Sequence, residues 1–380
     1  MEIYVVSQGD TVDSIAEEFN VTVERLTSVN QIVYPYRLAV GQALLILNEG
    51  ETGGTGKEIN VNGYAYPFIR DWTLRQTLLY LTDLSVFSYG FTYDGNLIYP
   101  QLSDQWMINL SKEYNTRPIL TLTPFGPDGN FNNRLIHSVV TNSSYASDLI
   151  NNLLTVMRQK GYVGVDIDFE YILGEDRDYF TEFVRNTTET MNDNGYTVSV
   201  ALAPKTSADQ RGLLYEGKDY RALGEAANSV LLMTYEWGYT YGPNMAVAPV
   251  NRVREVIEYG VTEIDREKIN MGIPNYGYDW PLPYERGTTR AATIGNIEAV
   301  QIAIDNNAVI QYDQVAQSPF FRYFRGGTEH EVWFEDVRSL DAKFNLIDEF
   351  QLMGAGYWQI MQWFRPNWEL LSYRFKIIKS

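Results

Sequence analysis

The stretch Gly164-Val165-Asp166-Ile167-Asp168-Phe169-Glu170 alternates small or acidic residues with large apolar ones. A strand repeats every two residues, so Asp166, Asp168 and Glu170 share one face and Val165, Ile167 and Phe169 share the other. Three readings are open. On an exposed strand the acids are simply its polar outside. On the inner face of a covered strand they cannot all stay ionised: like charges in a low dielectric raise at least one pKa and leave a proton shared along the row. A carboxylic acid held that way is ready to donate near neutral pH. Alternating acids can also hold magnesium or calcium. No calcium-loop glycine follows at the required spacing, and the chain's two histidines, His137 and His330, are far apart. Neither a metal nor a cofactor is expected.

What flanks the row has to position it. Ala146 to Lys160 carries Leu149, Leu153, Val156 and Met157 at helical spacing, Gly161 stops the helix, and Tyr162-Val163 opens the strand. Helix, turn and a strand with one apolar face form the unit of an α/β protein, whose strands are covered on both sides. From Ile59 onward strand-like and helix-like stretches alternate. The strand candidates are Val61 to Tyr66, Leu84 to Phe91, Pro118 to Thr123, Val163 to Glu170, Thr197 to Ala203, Ser229 to Tyr235, Ile269 to Pro274 and Ala355 to Met361. Eight such repeats predict a (β/α)8 TIM barrel over residues 58–380. The long interval from Tyr276 to about Leu352 holds two further strand candidates, Ala308 to Tyr312 and Glu331 to Phe334. It predicts a small α+β insertion, about residues 280–340, between strands seven and eight.

Functional groups of such barrels lie at the carboxyl ends of strands. Glu170 reads as the last residue of its strand. Other strand ends are aromatic and polar: Tyr64-Ala65-Tyr66, Met233-Thr234-Tyr235-Glu236-Trp237, Asn275-Tyr276 and Tyr357-Trp358. Aromatic faces stack on sugar rings while polar tips fix hydroxyls and amides, so their coincidence points to a carbohydrate cleft.

The formal net charge of −18 argues against nucleic acid or an anionic membrane as partner. Cysteine is absent, which removes disulfides, thiolate metal sites and cysteine nucleophiles. No apolar run approaches a membrane span, and Met1-Glu2-Ile3 lacks the basic and apolar parts of a signal peptide, so leaderless export or a trimmed chain is expected.

Residues 1–48 form a unit of their own. A strand at Tyr4-Val5-Val6 leads through Gly9-Asp10-Thr11 into a helical stripe of Val12, Ile15, Ala16 and Phe19; Thr22 precedes Val23, Leu26 and Val29; Leu38 to Ile46 returns as a strand. Val5-Val6-Ser7-Gln8-Gly9-Asp10-Thr11, Ser14-Ile15-Ala16, Asn30 and Val40-Gly41-Gln42 together resemble a LysM module. The resemblance implies a βααβ domain that binds N-acetylglucosamine glycans such as peptidoglycan or chitin. The glycine-rich residues 49–57 read as a flexible linker. Removing residues 1–48 is then expected to spare hydrolysis of small oligomers while weakening binding to insoluble wall.

Asp166-Ile167-Asp168-Phe169-Glu170, with Met233-Thr234-Tyr235-Glu236 and Trp358, resembles glycoside hydrolase family 18. The wording Met233-Thr234-Tyr235-Glu236-Trp237-Gly238 and Ala355-Gly356-Tyr357-Trp358 is similar to the branch of spore-cortex and cell-wall N-acetylglucosaminidases that carry LysM modules. Two places depart from the family pattern: Val163 replaces an acid, and Thr121-Leu122-Thr123-Pro124 ends the third strand. The resemblance implies substrate-assisted hydrolysis with retention, in which the sugar's own acetamido oxygen attacks the anomeric carbon. Glu170 then serves as acid and base, Asp168 orients the acetamido N–H, Asp166 shares the proton behind it and Tyr235 holds the acetamido carbonyl. Trp358 forms the floor, with Met233, Glu236, Asn275, Tyr276 and Tyr66 as further substrate contacts. It also implies an enzyme acting as a monomer on peptidoglycan or a chitin-like glycan, outside the cytoplasm at the cell wall or at the spore coat and cortex. Two alternatives stand beside it: a chitinase-type enzyme on chitin oligomers, and a wall-binding lectin.

Overall fold

The computed structural model describes residues 1–48, 53, 54, 56–126 and 129–379. Eight parallel strands close into a barrel: β1 (Glu58–Ala65), β2 (Asp83–Phe91), β3 (Arg117–Leu122), β4 (Gly164–Ile167), β5 (Thr197–Leu202), β6 (Ser229–Leu232), β7 (Ile269–Pro274) and β8 (Gly354–Trp358). Each pairs with the next in sequence, and β8 pairs with β1. The helices between them are seated by ordinary end signals. Helix Ser143–Lys160 starts where the Asn142 side chain accepts from Ser144 N at 3.0 Å and ends at Gly161 with φ of 87°. Its buried face, with Leu149, Leu153, Val156 and Met157, joins the apolar outer face of the strands in one continuous core.

The insertion is larger than the two strands expected of it. An antiparallel sheet of five strands is formed by Gly277–Pro281, Ala292–Ile294, Gln311–Asp313, Ser318–Arg325 and Thr328–Trp333, with helix Asn296–Asp305 beside it. It begins at Gly277, three residues after β7, and Ala308-Val309-Ile310 is not part of it. Ile310 N instead donates to Val40 O at 2.9 Å, a pairing with the N-terminal unit that local sequence does not encode.

In that unit Glu2–Val5 pairs antiparallel with Ala43–Ile46 around helices Val12–Glu18 and Val23–Val29. The returning strand is thus shorter than Leu38 to Ile46. Asn30 ties helix to strand: its Nδ2 donates to Leu26 O at 3.0 Å and Leu45 O at 2.9 Å, and its Oδ1 accepts from Leu45 N at 2.7 Å. The unit rests on the barrel. Val29, Leu45 and Leu47 are buried in the barrel's own core, Arg365 Nη1 donates to Ser28 Oγ at 2.6 Å, and Arg338 Nη2 donates to Gly41 O at 3.2 Å. Part of the expected linker, residues 49–52 and 55, lies outside the described residues. Of the remainder, Gly54 N donates to Tyr373 O at 3.2 Å.

Candidate active site

The β4 ladder stops at Ile167, and Asp168, Phe169 and Glu170 continue past it. Glu170 is therefore beyond its strand rather than at its last residue: on the β3 side Ile167 already faces Leu122, where that strand ends, and on the β5 side the pairing stops at Val200. Extended geometry persists all the same: Asp168 N donates to Leu122 O at 2.9 Å. The alternation of faces also holds. Phe169 points outward among Phe91, Phe180 and Phe183, with ring centroids 5.3, 5.7 and 5.9 Å away. The three acids point inward: Asp166 and Asp168 are buried and Glu170 is half-buried.

Each acid has its own surroundings. Asp166 accepts from Ser199 Oγ at 2.6 Å and from the Tyr64 hydroxyl at 2.9 Å. Burial raises its pKa, and those two hydrogen bonds act against the rise. Asp168 is raised further, first by burial and then by the charges of Glu170 and Asp166. Its Oδ1 is buried and has no hydrogen-bond partner among the described residues. Glu170 is raised by burial, and Glu236 adds to the rise while Lys218 opposes it. Burial and mutual repulsion thus act on all three carboxyl groups to favour a proton kept within the row.

A cleft of about 580 Å³ opens over Asp168 and Glu170. Met233, Tyr235, Glu236, Trp358 and Tyr66 also line it. The Trp358 ring is propped edge-on by Phe87 at 4.9 Å and by Tyr64 and Tyr66 at 5.8 and 6.1 Å, so its position is set before any ligand arrives. Tyr235 crosses β7 at Gly272, where an added Cβ would meet Tyr235 Cε1 at 2.7 Å and Leu232 O at 2.6 Å. Glu236 has φ of 67°, a left-handed conformation that costs a non-glycine residue about 1 kcal/mol. Its carboxylate accepts from the Tyr276 hydroxyl and, at 2.9 and 3.2 Å, from the Tyr278 hydroxyl.

Two expected contacts do not line this cleft. Asn275 is buried, with Nδ2 donating to Gln359 O at 3.2 Å and Gln362 O at 2.8 Å, and so it fastens the segment after β8. Tyr276 reaches the site only through Glu236. Asp166 stands behind Asp168, on a smaller interior cavity. Sequence reasoning missed Ser199, Lys218 and the aromatic residues Phe125, Phe131, Tyr171 and Tyr239 that complete the wall. Tyr171 could have been found by its place next to Glu170. The others are brought in by packing between distant segments. A larger cavity of about 810 Å³, between the N-terminal unit and the barrel, contains none of the three acids.

Glu170, Asp168 and Tyr235 thus meet in an aromatic-lined cleft at the mouth of the closed barrel. Residues 120–362 match the glycosyl hydrolases family 18 and residues 4–46 match the LysM domain. The chain belongs to glycosyl hydrolase family 18 and carries an N-terminal LysM domain. It is 40% identical to the cortical fragment-lytic enzyme of Bacillus subtilis (strain 168), over 100% of this chain and 99% of that one. The enzyme of the same name from Bacillus anthracis is 36% identical, with 100% of both chains covered. Among solved structures it resembles the Bacillus megaterium spore cortex-lytic enzyme SleL, with a TM-score of 0.93, 33% identity and coverage of 100% and 99%. Among the described residues no helix is long and apolar enough to cross a membrane.

Proposed function

We propose that this enzyme hydrolyses β-linked N-acetylglucosamine in spore-cortex peptidoglycan, chiefly cortex fragments, with retention of configuration and with the substrate's own acetamido group as nucleophile. It works as a monomer outside the cytoplasm, at the wall or cortex, its glycan bound both by the barrel cleft and by the LysM domain. The likeness to enzymes named cortical fragment-lytic supports the substrate.

The observation that carries the mechanism is the unpartnered Asp168 Oδ1 beside Glu170. A buried carboxylate oxygen left without a donor is costly unless a donor arrives, and a sugar's acetamido N–H in the cleft is such a donor. With that N–H held by Asp168 and the acetamido carbonyl by Tyr235, the carbonyl oxygen points at the anomeric carbon. Glu170 protonates the departing glycosidic oxygen as the acetamido oxygen bonds to the anomeric carbon. It then takes a proton from the water that opens the oxazolinium ion. The other acid lining the cleft, Glu236, has its oxygens occupied by two tyrosine hydroxyls, which fits it to binding rather than attack. Asp166 stands behind Asp168 and shares its proton, and Trp358 and Tyr66 give the sugar ring its floor.

Mass spectrometry of cortical fragments digested by the purified enzyme, with 1H NMR of the nascent product for its anomeric form, tests this reading. N-acetylglucosamine at the new reducing end, formed first as the β anomer, is the expected result. Muramic acid at that end, or a first-formed α anomer, would remove the assignment.

A further inference from the structure

Lys218 is a buried cation next to the acid. Its side chain is fully buried, and its Nζ donates to the main-chain oxygen of Glu170 and, at 3.2 Å, to Leu214 O. Among the described residues its ammonium touches carbonyl oxygens and no carboxylate. Burying an ammonium without a counterion is costly, so a chain that keeps one there is held to it by surrounding structure. That structure is tight. A Cβ on Gly217 would lie 2.5 Å from Ile172 Cβ, so the Lys218 segment lies directly on the loop that follows Glu170. Lys205, also buried, fastens the segment from behind, its Nζ donating to Lys218 O at 2.8 Å and to Tyr215 O at 3.4 Å.

We propose that Lys218 is a positioning residue for the acid: its hydrogen bond to the Glu170 carbonyl aims that side chain, and its charge favours the carboxylate formed when Glu170 releases its proton. This rests on the reading of Glu170 as the acid. In the first step the proton passes from Glu170 to the glycosidic oxygen while the anomeric carbon exchanges that oxygen for the acetamido oxygen. In the second, water bonds to the anomeric carbon, the bond to the acetamido oxygen breaks, and the water's proton returns to Glu170. Between the two steps Glu170 is an anion in a site already crowded with acids. A cation behind it lowers the cost of that state.

The groups that face each other here are Asp168 and Glu170 from the segment after β4, Lys205 from the segment after β5 and Glu236 and Tyr235 from the segment after β6. Burial lowers the Lys218 pKa to about 8, while Glu170 and Asp168 act to raise it. Without the ammonium both carboxyl groups are harder to ionise, so both limbs of the pH profile move upward.

The test is kcat/KM against pH for Lys218→Met and Lys218→Gln on soluble cortical fragments, with Lys205→Met as a control. Both Lys218 variants are expected to shift both limbs up by about one pH unit, with kcat falling more than KM rises. Lys205→Met is expected to lose thermal stability without moving the profile. An unmoved profile in a folded Lys218 variant would overturn the proposal. Should neither variant fold, 15N-lysine NMR decides: a buried Nζ resonance that moves between the wild type and Glu170→Gln supports the proposal, and lysine resonances all unmoved by Glu170→Gln would refute it. Glu170→Gln separates this from the underlying reading, since full activity there would remove the acid itself, whereas an inactive Glu170→Gln with an unshifted Lys218→Met removes Lys218 alone.

Discussion

Asp168 costs the folded protein stability that its chemistry uses. Burial raises its pKa, with Glu170 and Asp166 adding to the rise. A carboxyl whose folded pKa lies above its unfolded one destabilises at pH values above the unfolded value of about 3.9 and stops doing so below it. Asp168→Asn should therefore raise stability at pH 7 by about 1 kcal/mol, an advantage that shrinks as the pH falls below about 4. It should lower kcat about a hundredfold or more, since the acetamido group loses its orienting anion. Thermal melts of both proteins at pH 7 and pH 3.5, beside rates on cortical fragments, check both halves; a destabilised variant at pH 7 would contradict the account. At this scale the acids were legible because a two-residue repeat assigns faces without knowledge of the rest of the fold. Ser199, Lys218 and the partner-free state of Asp168 Oδ1 were not, because each depends on which distant segment lands beside the row.

The barrel strands were legible as elements, since each carries an apolar outer face and is separated from the next by helical spacing. Their ends were less so. Met233, Thr234 and Tyr235 follow β6 as Asp168 to Glu170 follow β4, beyond the last ladder pairing, where hydrogen bonds come from particular neighbours. Thr234 shows it: its N donates to Leu232 O at 2.8 Å and its Oγ1 to Gly272 O at 2.7 Å. The insertion was under-read for a related reason. Of its five strands, Ala292–Ile294 has only three residues, too short to show a period, and the pairs Phe320-Phe321 and Tyr323-Phe324 break the two-residue alternation of Ser318–Arg325. Gly272 ties element to chemistry, because its missing side chain leaves the space that Leu232 O and the Tyr235 ring share. Gly272→Ala should press on both Leu232 O and that ring, lowering the melting temperature and reducing kcat/KM by about a hundredfold. Steady-state kinetics with circular dichroism checks it, and an unchanged rate would mean that Tyr235 placement does not matter.

At the scale of the whole molecule, the LysM domain sits on the barrel as well as preceding it. Val29, Leu45 and Leu47 pack into the barrel's core, and Gly41 lies so near Ile310 that an added Cβ would come 1.9 Å from its carbonyl oxygen. Sequence showed two units because each has its own periodic core; it could not show a contact formed by residues some 270 positions apart. Deleting residues 1–48 should therefore leave hydrolysis of small oligomers measurable but lower barrel stability, on the order of 2–4 kcal/mol from the apolar surface exposed, as denaturant unfolding would show. Equal stability of both chains would mean the contact is idle. The claim on which the rest depends is that the sugar's acetamido oxygen is the nucleophile. Its most direct measurement is kcat/KM across one cortical disaccharide substrate carrying acetyl, fluoroacetyl, difluoroacetyl and trifluoroacetyl groups on the glucosamine nitrogen. Each fluorine weakens the carbonyl oxygen as a nucleophile, so a steep stepwise fall is predicted, and a flat series would contradict the mechanism.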